Sequence, residues 1–389
     1  MNNCLNNHVP ENRKVTYVHN DTLMRLSSKI PNVQNRASVV HNLIKSYDLL
    51  KHMNVVNVAP ATTEDLCKFH SSLYIDFLRN ISENYTKTVE EDKDEVVEEF
   101  SNESEDYGIG YDCPIVEHVF ELSSLIAGSS ITAAKILCER KSDVVINWYG
   151  GWHHAQRDQA EGFCYVNDIV LAIEELRVSF GRVLYIDLDI HHGNGVENAY
   201  NFTSKVLTLS FHKHEAGFYP GTGDLKDVGI GKGKFYTVNV PLKEGMNNIS
   251  YRYLFECIIK EIMTKYKPNA VVLQCGADGL TGDKLGGFNL TQELYGYCLR
   301  RVLGCKIPTL VLGGGGYNVP NVARCWTYLT AICVNQNISN NIPDNENFSI
   351  FGPDFTLNIT ESNRKDYNSR EYLNSVLHEI IYNIRDNIQ

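Results

Sequence analysis

The residues best able to do chemistry lie in one short run, Asp187-Leu188-Asp189-Ile190-His191. Alternate side chains of an extended segment share a face. Asp187, Asp189 and His191 would therefore point the same way if the strand persists that far. Carboxylates with an imidazole suit a borderline divalent metal, zinc or ferrous iron. Asp278 ends another apolar run, AVVLQCGAD (270–278), and would add a ligand from a neighbouring strand. Asp189, His191 and Asp278 would leave a coordination position open for water, as metal-assisted hydrolysis of an amide requires. Taken alone, the run also fits a strand-end aspartate capping a helix beside a packed histidine.

Two further clusters carry reactive groups. His153 and His154 follow a pair of glycines in NWYGGWHHAQ. Imidazole titrates near neutrality, so a histidine pair beside an acidic metal site suits proton transfer. An isolated pair is more often one core and one surface residue, and the second pair here, His191-His192, proves little alone. The glycines at 313–316 allow a backbone to approach a ligand closely, and Tyr317 follows them. The run lacks the GxGxxG spacing and the lysine of phosphate loops. A tyrosine there could donate to a developing oxyanion.

These clusters need a frame. Five short apolar runs read as strands: 143–147, 182–189, 205–211, 270–278 and 308–316. Helical patterns lie near 38–52, 63–80, 121–139, 166–180, 251–266, 293–303, 322–334 and 370–386. Strand–helix alternation predicts a parallel sheet covered on both faces. Such sheets bind ligands at the carboxyl ends of their strands, and each polar or glycine-rich cluster falls at one of those ends.

The bulk properties narrow the class. With 389 residues and 43% hydrophobic content, the chain has enough for a large core. No apolar run approaches the roughly 20 residues of a membrane span, so no membrane partner is expected. The N-terminus lacks the apolar core of a signal peptide, which predicts a reducing compartment. The 11 cysteines form no CxxC pair, which argues against disulfides and a cysteine zinc site. A net charge of −11 argues against direct nucleic-acid binding. Residues 1–14 are expected to be a flexible terminus and 15–389 one domain. Within it, the acidic stretch 81–106 is expected to be a solvated loop.

Several long motifs carry a resemblance: GYDCP (110–114), INWYGGWHHAQ (146–156), EGFCYVNDIVLAI (161–173), LYIDLDIHHGNGVE (184–197), GFYPGTGD (217–224), QCGAD (274–278), LGGGGYN (312–318) and ARCWTYLT (323–330). In this order they resemble the class I zinc-dependent histone deacetylases, from about residue 15 to about residue 357. The stretches 31–47 and 227–241, and the absence of a long acidic tail after FGPDF (351–355), point to one branch of that class. The resemblance implies an α/β, arginase/deacetylase-like three-layer sandwich with a central parallel sheet of about eight strands. It implies hydrolysis of N6-acetyl-lysine in histones and other proteins, with action in nucleus and cytoplasm as a transcriptional repressor.

The resemblance also implies roles. Asp189, His191 and Asp278 match the zinc ligands, and Tyr317 the residue that polarises the acetyl carbonyl. His153 and His154 match the dyad that moves protons, with Asp187 behind His153. Asp187, Ser210 and Phe211, with the backbone of Asp189 and His191, match a structural potassium site. Tyr200, Thr203, Val206 and Tyr236 match a second one. Asp112 matches the rim residue that grips substrate backbone. Trp152, Gly162, Phe163, Tyr219 and Leu285 match the walls of a narrow tunnel, and Arg36 a channel for acetate. Lys284 and Pro320 stand where corepressor-bound relatives carry arginines, so inositol-phosphate corepressor binding is not expected.

Departures from the family pattern mark what is particular here. The family reads HHGDG where this chain has His191-His192-Gly193-Asn194-Gly195. Asn194 can accept a bond from His154 but brings no charge, which predicts a lowered His154 pKa and an altered pH dependence. Tyr219 stands where a phenylalanine is usual. Two other readings remain open at this point: a two-metal hydrolase of the arginase type, and a weakened deacetylase that mainly binds acyl-lysine as a scaffold.

Overall fold

The computed structural model describes residues 13–87 and 101–388. Its centre is one sheet built from β1 (Val15–Val18), β2 (Asn54–Val56), β3 (Val144–Asn147), β4 (Val183–Asp187), β5 (Val206–Lys213), β6 (Thr237–Leu242), β7 (Ala270–Gln274) and β8 (Thr309–Leu312). The 8 strands run in the order β2-β1-β3-β8-β7-β4-β5-β6, and every pairing is parallel. The chain leaves β4 toward β5 on one side. It later leaves β7 toward β8 on the other. The carboxyl ends of β4 and β7 thus flank a topological switch point, where open α/β sheets place their ligands.

The strands are apolar on both sides because both faces are covered. Val183 and Tyr185 of β4 pack with Ile169, Val170 and Ile173 of the helix Asp168–Ser179 and Ala133, Ala134 and Leu137 of the helix Val119–Cys138. The alternate residues Leu184 and Ile186 pack into the larger core on the other face. That core takes residues from the helices Arg36–Ser46, Asn248–Lys265, Gln292–Gly304, Val319–Cys333 and Arg370–Asn387. Three layers result, as the motifs implied.

Several sequence expectations need correction. The run 182–189 leaves the sheet at Asp187, 270–278 at Gln274 and 308–316 at Leu312. Beyond those points side chains join the few backbone bonds that continue, such as Leu188 N–H to the Gln274 carbonyl at 3.1 Å and Ala277 N–H to the Gly315 carbonyl at 2.8 Å. Asp187 Oδ1 accepts from the Asp189 N–H at 3.1 Å, and Gln274 Oε1 from the Gly276 N–H at 2.8 Å. Asp187, Asp189 and His191 therefore do not share one strand face. Strands β1, β2 and β6 carried too little pattern to be read: β2 has 3 residues, and β6 contains Pro241, which an edge strand tolerates.

The helix Val119–Cys138 is long and apolar enough to cross a membrane by length and composition. It is instead a core helix, with Leu122, Ile126, Ala127 and Leu137 buried. The acidic stretch is not all loop. The helix Ser72–Lys87 continues into it because Ile81 extends the buried stripe of Tyr74 and Leu78, and Ser101–Asp106 form a short helix. Its middle, 88–100, lies outside the described residues, as does nearly all of the 1–14 terminus.

Candidate active site

Asp189 and His191 lie just past β4, and Asp278 just past β7. Among the described residues they form the one group of three potential metal ligands, with one donor atom from each within 4.8 Å of the others. Each is fixed by a second contact. Asp189 Oδ2 accepts from the Gly315 N–H at 2.8 Å and from Gln274 Nε2 at 3.0 Å. Asp278 Oδ1 accepts from the Ile190 N–H at 2.9 Å. The remaining oxygens converge on His191 Nδ1, Asp278 Oδ2 at 3.0 Å and Asp189 Oδ1 at 3.2 Å.

This donor set fits a divalent cation. Asp189 and Asp278 are fully buried, and among the described residues no lysine or arginine is in ion-pair contact with them. Burial, then the charge of Asp189, pushes the Asp278 carboxyl up from its usual range. Burial opposes charge on His191 as well, but the two carboxylates outweigh it and push the imidazole up to about 10. The pocket thus gathers protons that a metal ion would displace. Its wall is cut to fit: a Cβ on Gly315 would lie 2.1 Å from Asp278 Oδ2.

The histidine pair stands beside this cluster. Its turn is pinned from below by the buried carboxyl of Asp168, which accepts from the N–H groups of Gly151 and Trp152 at 3.0 and 2.9 Å. His153 Nδ1 is 2.7 Å from Asp187 Oδ2, which also accepts from Tyr185 Oη at 2.5 Å. Burial opposes the His153 cation, yet Asp187 and Asp189 push it up to about 9. His154 Nδ1 is 2.7 Å from Asn194 Oδ1. Burial, then repulsion from His153 and His191, holds His154 well below its usual 6.5. The Asn194 bond works weakly the other way, so burial rather than Asn194 is the leading cause. His192 takes no part: it bonds Thr222 and Glu197.

One cavity is lined by His153, His154, Gly162, Phe163, Gly314 and Tyr317, together with Arg36 and Trp152. The rings of Phe163 and Tyr317 meet edge to face at 5.8 Å. Tyr219 stands edge-on to His154 at 5.0 Å and is 40% exposed, which places it toward the mouth. Gly162 has φ +56°, and a Cβ there would lie 2.4 Å from the His154 ring. Asp112 Oδ2 accepts from the Gly162 N–H at 2.8 Å. Leu285, like Tyr219, is 40% exposed. Arg36 donates to the Gly316 carbonyl at 2.9 Å. It also lines a second cavity, behind the first, with Tyr17, Trp148 and Trp326.

The remaining residues fall in two places. Asp187 pairs in register with Ser210 of β5, and Phe211 follows it, directly behind the cluster. Tyr200, Thr203 and Val206 surround the opposite, amino-terminal end of β5, where the Tyr236 carbonyl accepts from the Thr208 N–H.

Sequence reading missed Glu161, Gln274 and Asp283. Glu161 accepts from Asn194, Gln156 and Tyr219. Asp283 accepts from the Tyr317 N–H. Gln274 did carry a signal, as a polar side chain inside an apolar strand. Glu161 and Asp283 carried none, since acidic residues in turns are ordinary.

Fold and site together define a protein of the α/β class with a buried Asp–His–Asp cluster able to hold a metal ion. Comparison with known proteins makes this specific. The histone deacetylase domain model matches residues 30–333. Histone deacetylase 8 of Xenopus tropicalis is 47% identical over 365 residues, covering 94% of this chain and 96% of that protein. Histone deacetylase 8 of Danio rerio is 46% identical over 374 residues, covering 96% of each. Human histone deacetylase 1 is 44% identical over 355 residues, covering 91% of this chain and 71% of that protein. The chain belongs to the histone deacetylase family, and its likeness extends to the histone deacetylase 8 branch.

Proposed function

We propose that this protein is a zinc-dependent lysine deacetylase that hydrolyses N6-acetyl-lysine in histones and other proteins and releases acetate. The observation that carries this reading is the placement of His154 and Tyr317 on the walls of the cavity that also holds His153, beside the buried Asp189–His191–Asp278 cluster. A zinc or ferrous ion held by those three residues would supply a Lewis acid for the amide carbonyl.

The chain's own groups account for the rest. The lysine stem is thin and apolar, and Gly162, Phe163 and Tyr219 offer it a narrow, largely aromatic passage. Asp112 sits at the rim, where it can take N–H groups of a peptide backbone. His154 presents Nε2 when Nδ1–H is given to Asn194; it can take a proton from water and pass it to the leaving amine, which departs poorly without one. His153, bonded through Nδ1 to Asp187, presents Nε2–H as a further donor where negative charge develops. The Tyr317 hydroxyl is the donor for the nascent oxyanion. Arg36 and the glycines at 151 and 314 line the route by which acetate leaves.

Structural potassium is proposed at Asp187, Ser210 and Phe211 with the Asp189 and His191 carbonyls, and at Tyr200, Thr203, Val206 and Tyr236. Nuclear and cytoplasmic repressor action, and independence from inositol-phosphate corepressors, belong to the same proposal. A weaker enzyme acting mainly as an acyl-lysine-binding scaffold is the second reading, and Asn194 in place of the family's aspartate favours it. Turnover of an acetyl-lysine peptide by zinc-loaded protein, against a Tyr317→Phe control, tests both. Rapid turnover lost in the control supports the enzyme; tight binding with equal, near-background rates supports the scaffold.

A further inference from the structure

Glu161 opens a tight turn closed by paired backbone bonds, Glu161 N–H to Cys164 O at 3.0 Å and Cys164 N–H to Glu161 O at 2.9 Å. Gly162 and Phe163 between them have φ of +56° and +67°, the signature of a rigid two-residue turn with both central residues left-handed. Asp112 bonds the Gly162 N–H from outside. The Glu161 side chain is thus delivered from a fixed backbone.

Its two oxygens accept three donors. Oε1 accepts from Asn194 Nδ2 at 2.7 Å and from Tyr219 Oη at 3.0 Å. Oε2 accepts from Gln156 Nε2 at 2.8 Å. The Gln156 amide cannot turn round without loss, because Nε2 also donates to the His154 carbonyl at 3.0 Å and Oε1 accepts from Asn198 Nδ2 at 3.1 Å.

A carboxylate only accepts. The Asn194 amide must therefore aim Nδ2 at Glu161 and Oδ1 at His154, 2.7 Å from Nδ1. That nitrogen must then carry the proton, which leaves the Nε2 lone pair facing the cavity. Without Glu161, nothing in this network tells the two ends of the Asn194 amide apart.

We infer that Glu161 is a positioning residue for the general base: through Asn194 it fixes the tautomer of His154, and through Tyr219 it ties that base to the tunnel wall. The carboxylate that the family places at position 194 is here moved one side chain outward. The inference rests on the deacetylase reading for its kinetic consequence, but not for the tautomer.

The test is a double-mutant cycle on zinc-loaded protein. Glu161→Gln sets an amide donor against either Asn194 Nδ2 or Gln156 Nε2. Asn194→Asp sets two carboxylates face to face. Each single variant should lower kcat by about tenfold or more with little change in KM. The double variant removes both conflicts. Its carboxylate at position 194 can accept from His154 and from the new amide at position 161, whose oxygen still serves Gln156. It should return kcat to within about threefold of the parent, a coupling that independent sites do not show.

Ring-nitrogen NMR of ¹⁵N-histidine-labelled protein gives a readout apart from activity: His154 should hold Nδ1–H in the parent, become mixed in E161Q and recover in the double variant. Adding E161Q to N194D must raise kcat, which no folding defect can imitate. A double variant no faster than N194D, or an E161Q protein with unchanged kcat and tautomer, overturns the inference. A parent with no turnover overturns the deacetylase reading instead, and the tautomer comparison then decides Glu161 alone.

Discussion

The backbone N–H of Tyr317 donates to Asp283 Oδ2 at 2.7 Å. The same oxygen accepts from the Asn318 N–H at 3.1 Å, and Oδ1 accepts from the Leu285 N–H at 2.9 Å. One carboxylate thus clamps the glycine-rich tyrosine loop to the segment carrying Leu285. Glycines cannot hold such a loop by themselves, since each leaves the backbone free. Asp283→Ala should lower kcat by roughly tenfold or more through misplacement of the Tyr317 hydroxyl. Asp283→Asn keeps an acceptor and should fall between. Unchanged kcat in D283A would show that the clamp is not needed.

Tyr317→Phe removes one hydroxyl and leaves the edge contact with Phe163. If the hydroxyl meets charge only in the transition state, kcat should fall about 10²- to 10³-fold, the usual effect of losing an oxyanion donor. KM should move little, because ground-state packing is kept. Steady-state kinetics on an acetyl-lysine peptide decide the matter, and a loss below about threefold would remove Tyr317 from the reaction.

What the sequence discloses follows from physical range. Apolar runs of both-face strands are local, so β3, β4, β5, β7 and β8 are legible, and so are the polar clusters at their ends. Asp189, His191 and Asp278 stand out because metal-binding side chains are distinctive even without a fold. The expectation that Asp187 joins their face fails because its side chain bonds the Asp189 N–H and ends the strand. Its neighbours Tyr185 and His153 then define it as a partner of imidazole rather than of the cluster. Glu161 is illegible because its meaning depends on Asn194, 33 positions away. The Asn194 departure suggests a missing charge, and only the folded chain shows a carboxylate next to it.

Chelation should abolish turnover, and zinc should restore it. The binding has a stability consequence as well. A ligand that binds only the folded state at 100 times its Kd adds about 2.7 kcal/mol, so zinc should raise the thermal midpoint of stripped protein. Asp278→Asn removes a charged ligand and should leave a folded protein whose midpoint no longer responds. Metal analysis should give a single zinc per chain. A stoichiometric pair of manganese ions would favour the arginase-type reading, although Asp187, a nearby further carboxylate, is turned to His153.

Acid should weaken the fold through a histidine outside the site. His70 is buried; its Nε2 accepts from the Asn167 N–H at 3.0 Å, and Nδ1 lies 3.2 Å from the Arg157 carbonyl. Asn167 in turn caps the helix Asp168–Ser179 and donates to the Ala155 carbonyl, next to His154. Burial lowers His70 from 6.5 to about 4. Between those values the unfolded chain binds the proton and the folded one does not. The stability is therefore complete above 6.5 and is lost as the pH falls toward 4. His41, also lowered to about 4 by burial, acts in the same window. Denaturant unfolding at pH 7 and pH 4.5 should show the parent losing more stability than His70→Gln, by about 2 kcal/mol. Parallel losses in the two proteins would mean that His70 takes up its proton without unfolding the turn that carries His153 and His154.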